Sequence, residues 1–208
     1  MNNFYVSRLP ETIKTEMIGK SFPYNAKESL ISFDELTYVH ILHTGFDEEP
    51  HEGELICNRL IAHDLLDIFK ILYKNKYPIE RVCLIDIYDA DDEASMADNN
   101  SSAFNYRMIW GTKRLSNHAL GFAIDINPLY NPYISYHNGK EVIQPKNSIS
   151  YINREKPFPY KITHEDLCYK IFTDHGFSWG GDWTESKDYQ HFEKLPNYRS
   201  QKTGFICR

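Results

Sequence analysis

The chain lacks any Cys-x-x-Cys pair. Its 4 cysteines, Cys57, Cys83, Cys168 and Cys207, stand far apart, which excludes a cysteine zinc knuckle. Buried free thiols are the expected state, because unpaired cysteine is among the most buried residue types; the even number leaves disulfides arithmetically open. No run approaches the ~18 apolar residues of a membrane-spanning helix, and Met1 to Arg8 shows no basic-then-apolar leader. Basic residues are in the minority, 23 Lys and Arg against 29 Asp and Glu for a net charge of −6. They form no cluster, and a phosphate backbone demands a basic face, so nucleic acid is not an expected partner. Internal repeats, low-complexity tracts and Gly/Ser linkers are also missing, so the 208 residues read as one domain. No Gly-x-Gly-x-x-Gly opens a helix, which makes a dinucleotide-binding fold a poor fit.

What is present is ordinary globular material, 41% hydrophobic and 25% charged. A chain of this length buries roughly 70% of its unfolded surface and needs no staple to hold a core. Thr37 to His43 is rich in β-branched and aromatic residues and reads as a strand. Glu54 to Tyr73 carries Cys57, Ile61, Leu65, Ile68, Phe69 and Leu72 at helical spacing, and Arg81 to Tyr88 reads as a buried strand. Asp89 to Ser102 is a long polar connection, of the length that is usually functional or mobile; it lacks the glycine and terminal Glu of a calcium loop. A second helix is expected from Thr163, its hydroxyl capping amides near Asp166, with Gly176 at its left-handed end and Phe177 packing back. The class is α+β: a small sheet with helices on one face.

Two segments carry chemistry. One is Ser116-Asn117-His118-Ala119-Leu120-Gly121-Phe122-Ala123-Ile124-Asp125-Ile126. The other is Trp179-Gly180-Gly181-Asp182-Trp183, followed by Asp188-Tyr189-Gln190-His191-Phe192-Glu193. Together they offer two imidazoles and several carboxylates, which zinc accepts. His118 and Asp125 are too far apart for adjacent helical turns, so Gly121 must reverse the backbone for them to meet; His191 would come from a second strand. Three protein ligands with an open fourth position is the catalytic pattern. His-x6-Asp with a distant His also arises by chance, so spacing alone leaves three unrelated polar residues as the alternative. Asp188, three residues before His191, reaches the same point only from a bend, and there it would stand as a general base or as a partner orienting His191. Glu193 shares a strand face with His191 and reads as such an orienting partner.

The strings Ser-x-His-x-x-Gly-x-Ala-x-Asp-Ile (116–126) and Trp-Gly-Gly-Asp-Trp…Asp-x-x-His-Phe (179–192) resemble the zinc D-alanyl-D-alanine carboxypeptidase family, which includes the vancomycin-resistance D,D-peptidases and phage L-alanyl-D-glutamate endopeptidases. The resemblance covers about Glu54 to Lys194. It implies a Hedgehog/D,D-peptidase-like fold, an antiparallel sheet flanked by helices, with the first ~50 residues an extension packed on the peptidase domain. It implies one zinc ion on His118, Asp125 and His191, with Asp188 as the catalytic carboxylate. Asp rather than Glu at this place is more usual in the phage endopeptidases. The family's substrate-contacting arginine maps to Arg107, with Arg114 the rival. Trp179 and Asp182 of the glycine-rich turn, with Ser116, are the candidate substrate-binding residues; Ser116 is equally a plain turn serine. The implied substrates are peptidoglycan stem peptides or muropeptides, so the expected location is the bacterial envelope or outside the cell. A silent binding module of the same fold, or a zinc amidase, stands as the competing expectation.

Overall fold

The computed structural model describes residues 3–25, 28–109, 111–137 and 139–196; Cys207 lies outside them. Strands β1 (Tyr5–Arg8), β2 (Leu36–Thr44) and β3 (Pro50–Asn58) form an antiparallel sheet in the order β1-β2-β3. Residues before position 50 thus supply two of its three strands. Strand β2 reads as a continuous apolar run because both of its faces are covered. Val39 and Ile41 join Leu55 and Cys57 of β3 under the helix α2 (Ala62–Lys74), against Leu65, Ile68, Phe69 and Leu72. Leu36 and Tyr38 join Ile56 on the other face, in a second cluster with Leu9, Phe22 and Met17 of α1 (Glu11–Met17).

The helix expected from Glu54 therefore begins eight residues later than the apolar spacing suggests. Glu54 to Asn58 pairs residue for residue with His40 to Leu36. Cys57 belongs to the end of a strand and Leu65 to a helix, and their concatenation imitates a helical period. The strand expected over 81–88 is likewise cut short: β4 (Arg81–Val82) pairs in parallel with β5 (Asn100–Ser101), and Ile85–Tyr88 is a 3-10 helix. The cause is Asn100, whose side-chain oxygen accepts from Cys83 N at 2.8 Å while its amide donates to Cys83 O at 3.1 Å. One side chain takes both bonds that a continuing strand would need, and the ladder stops. The polar connection before Asn100 is not bare loop. It holds the helix α3 (Asp92–Ala97), capped by Asp91, whose carboxylate accepts from Ala94 N.

Strand β6 (Ala123–Asp125) pairs antiparallel with β11 (His191–Glu193), and β11 with β9 (Ser178–Trp179). A further antiparallel sheet runs β10 (Lys187–Asp188), β7 (Tyr133–His137), β8 (Lys140–Gln144) in the order β10-β7-β8. Helix α4 (Leu167–Asp174) starts at Asp166, whose carboxylate accepts from Cys168 N at 2.8 Å; the Thr163 hydroxyl instead donates to Glu165. Its end is as expected. Gly176 has φ +81° and Phe177 packs edge-on to Phe172 at 5.2 Å. Small antiparallel sheets with separate helices place the chain in the α+β class. Cys57 and Cys168 are buried free thiols, and Cys83 is a half-buried one.

One glycine fixes how the sheet delivers the first motif. Gly121 has φ +72°, and a Cβ there would stand 2.5 Å from Asn58 N, the group that donates to Gly121 O at 2.8 Å. Left-handed strain and a backbone clash coincide, so Gly121→Ala is expected to destabilise the fold by about 3 kcal/mol. Urea unfolding measures this, and an unchanged midpoint would contradict it.

Candidate active site

His118 opens a 3-10 helix (His118–Leu120), Gly121 reverses the chain, and Asp125 ends β6. His191 opens β11 directly opposite Asp125 in the register. A seven-residue separation in sequence thus becomes a contact. His118 Nε2 lies 3.3 Å and His191 Nδ1 3.1 Å from Asp125 Oδ1, and the two ring nitrogens are 3.1 Å apart. All three residues are buried.

The outer ring nitrogens assign the tautomers. His118 Nδ1 is 2.6 Å from Ala103 O, a group that only accepts, so Nδ1 carries the hydrogen and Nε2 turns a lone pair inward. In neutral His191, the form that binds metal, Nε2 donates to Glu193 Oε2 at 3.1 Å, which leaves Nδ1 bare toward the site. Glu193, two residues on along the strand, is itself steadied by Asn117 Nδ2 at 2.6 Å. Three lone-pair atoms therefore converge with both outer nitrogens tied down, an arrangement that calls for positive charge at its centre. Two imidazoles and one carboxylate are a donor set suited to zinc, so the residues present fit the ion.

Titration behaviour follows from the same crowding. Burial disfavours a charged Asp125, but His118 and His191 outweigh it and hold the carboxyl well below the usual range. Burial also disfavours a charged His191, yet hydrogen bonds to Asp125 and Glu193 push it up to about 10. Glu193→Gln keeps the side chain's shape and removes its charge. Zinc affinity is expected to fall about 10- to 100-fold, read by competition with a chromogenic chelator.

Asp188 arrives on β10, paired with Tyr133 of β7, and so in a different sheet from His191. Gly180 lets the two approach. A Cβ at Gly180 would stand 2.8 Å from the Asp188 Cβ and 3.2 Å from the His191 Cβ, so only a glycine fits between them. Asp188 Oδ1 is buried without a hydrogen-bond partner. Burial first, then the Asp125 charge, push its carboxyl up to about 7, against the pull of His191.

The other sequence-derived candidates lie around this point in different ways. Arg107 pairs with Asp92 of α3 at 2.7 Å, and its Nε is buried without a partner; Arg114 is exposed. Ser116 is buried, its hydroxyl accepts from His118 N at 3.2 Å, and its own N donates to Arg107 O. Trp179 is core, only 4% exposed, with Nε1 donating to Tyr189 O. Asp182 is exposed and pairs with His164 at 2.7 Å. The indole beside the site is that of Trp183, 5.2 Å from the His191 ring. Sequence reasoning missed Asn117 and Gly180; both sit inside the motifs, and their roles become visible only once the sheet register is known.

An α+β frame brings two imidazoles and a carboxylate together in its interior, where they could hold a metal ion, with a second carboxyl of raised pKa alongside. Residues 110–194, which contain all four of these side chains, match the family model described as D-alanyl-D-alanine carboxypeptidase. The match bears out the family resemblance carried by the two motifs and supports a hydrolytic peptidase. No curated protein and no solved structure matches the chain.

Proposed function

We propose that this chain is a zinc metallopeptidase that hydrolyses peptide bonds in peptidoglycan stem peptides, as a D,D-carboxypeptidase or an L-alanyl-D-glutamate endopeptidase. The observation that carries this is the inward convergence of His118 Nε2, His191 Nδ1 and Asp125 Oδ1 beside the unpartnered Oδ1 of Asp188. On this reading the fold is of the Hedgehog/D,D-peptidase type and residues 1–208 serve one peptidase domain. The substrate places the protein in the bacterial envelope or outside the cell.

Zinc, when bound by His118, Asp125 and His191, supplies Lewis acidity that brings the pKa of water toward ~7 and polarises the scissile carbonyl. Asp188 takes the proton of the attacking water and returns it to the leaving amine. Arg107, its Nη2 held by Asp92, steadies the developing oxyanion. Ser116 keeps His118 in its turn. Asp182, exposed on the turn after Gly181, is the outermost proposed substrate contact, and Trp179 contributes from the core by holding Tyr189.

Mass spectrometry of tri-, tetra- and pentapeptide muropeptides incubated with zinc-loaded protein tests the proposal. Loss of one terminal Ala from the pentapeptide marks a D,D-carboxypeptidase. Release of everything after the first L-Ala marks an endopeptidase. Cleavage between the lactyl group and L-Ala would make it an amidase instead, and no cleavage with zinc bound would leave a silent binding module; either result overturns the reading.

A further inference from the structure

The chain changes sheets between Asp188 and His191, and only Tyr189 and Gln190 separate the two. Asp188 is registered on β7 and His191 on β6. The placement of Asp188 beside the His118, Asp125 and His191 cluster thus depends on the short backbone crossing at Tyr189 and Gln190. Several contacts grip that crossing, among them Ile126 N donating to Gln190 O at 3.0 Å. Tyr189 N donates to Pro132 O at 3.3 Å, Tyr189 O accepts from Trp179 Nε1 at 2.9 Å, and the Tyr189 ring lies under the Arg154 guanidinium, 4.2 Å from its centroid.

Arg154 is an unusual cation. Among the described residues no carboxylate pairs with it, and its hydrogen bonds all go to neutral oxygens. Nη1 donates to Tyr130 O at 2.9 Å; Nη2 donates to Asn131 Oδ1 at 3.1 Å and to Ile162 O at 2.7 Å. Asn131 in turn donates to Asn127 O and Tyr160 O and accepts from Ile162 N. The segment so tied, 127–132, leaves β6 just after Asp125 and leads into Tyr133, the strand partner of Asp188. One planar guanidinium thus holds the lead-in to the strand that pairs with Asp188 and, by stacking, the residue that follows Asp188. Burial pushes Arg154 down to about 10, so the fold keeps a desolvated cation here without a counter-charge. Such a group is weak as a stabilising device. Its fork and flat face suit positioning instead, and a lysine has neither.

We propose that Arg154 is a positioning residue for the proteolytic step: with Tyr189 it holds the sheet-to-sheet crossing that aims the Asp188 carboxyl at the metal-binding cluster. This rests on the peptidase reading above. The test compares wild type, Arg154→Lys, Tyr189→Leu and the double variant, each zinc-loaded, with pentapeptide muropeptide as substrate. Arg154→Lys keeps the charge and the hydrophobic stem and removes only the fork and the flat face. A misaimed carboxyl is expected to cost about 100-fold in kcat with KM within about twofold and zinc still one per chain. Because the stack is shared by both residues, the double variant should lose clearly less than the product of the two single losses.

A second readout needs neither metal nor activity. In 1H–15N spectra of the metal-free protein the Trp179 indole signal, which reports on Tyr189 O, should move in both single variants. Wild-type kcat in folded Arg154→Lys overturns the proposal, as do losses that multiply in the double variant with the Trp179 signal unmoved. If zinc-loaded wild type cleaves no muropeptide, the peptidase reading has failed and the positioning role falls with it. A failure confined to the variants leaves that reading standing.

Discussion

Asp188→Asn is expected to lower kcat about a thousandfold while zinc stays bound at one per chain and KM changes little, because general acid–base catalysis contributes roughly 10²–10⁴. Asparagine matches the shape of the carboxyl and preserves the β10–β7 pairing, so a loss cannot be put down to packing. Metal analysis separates the two roles open to Asp188: a residue that merely oriented His191 would lower zinc affinity when replaced, whereas a base leaves it intact. Wild-type activity in Asp188→Asn would end the assignment. The same group shapes stability in the metal-free protein. Its folded pKa, about 7, lies above the ordinary carboxylate value, so its contribution is fully present below pH ~4 and is lost as pH rises toward 7. His191, raised to about 10, adds a term present below pH ~6.5 and lost between there and 10. Asp125 runs the other way: its depressed pKa favours the fold above the ordinary carboxylate range and fades as pH falls below it. Metal-free melting temperatures should therefore decline from mildly acid to alkaline pH, and Asp188→Asn should flatten the lower part of that decline.

The parts of this site that were legible in the sequence are those where chemistry demands a residue type. His118, Asp125 and His191 could be proposed as ligands because few side chains bind zinc, and Gly121 could be proposed as a reversal because only glycine takes φ +72° without strain. What joins them is a register, His191 against Asp125, and no local pattern encodes which strand residue faces which across 66 positions. The same limit explains the indoles. Trp179 and Trp183 flank one short turn, but only pairing Phe192 with Trp179 sends the first into the core and leaves the second beside His191. Errors at the helix and strand boundaries share a cause: tertiary partners overrode local spacing. Glu54 to Asn58 looks helical until β2 is placed next to it, and the strand after Val82 looks continuous until Asn100 takes both of Cys83's backbone groups. Arg154 left no trace at all, since a lone arginine in a polar stretch is ordinarily a solvated one.

His118→Ala should abolish stoichiometric zinc binding and, with it, muropeptide hydrolysis. A direct ligand is expected to cost more than the 10- to 100-fold that removing an outer partner such as Glu193 costs. Truncation also leaves Ala103 O without its 2.6 Å donor in a buried place, so some stability is lost whatever the metal does. The decisive quantity is therefore the shift that zinc produces, not the melting temperature itself. A ligand that binds only the folded state stabilises it by about 4 kcal/mol at a thousand times its Kd, and wild type should show a zinc-dependent rise of that order. In His118→Ala the rise should vanish while the metal-free protein still melts cooperatively. If His118 served only to pack the turn, the variant would melt lower yet keep the full zinc shift and one zinc per chain. That result would remove His118 from the metal centre and reduce the converging lone pairs to a buried hydrogen-bond cluster held together by a shared proton.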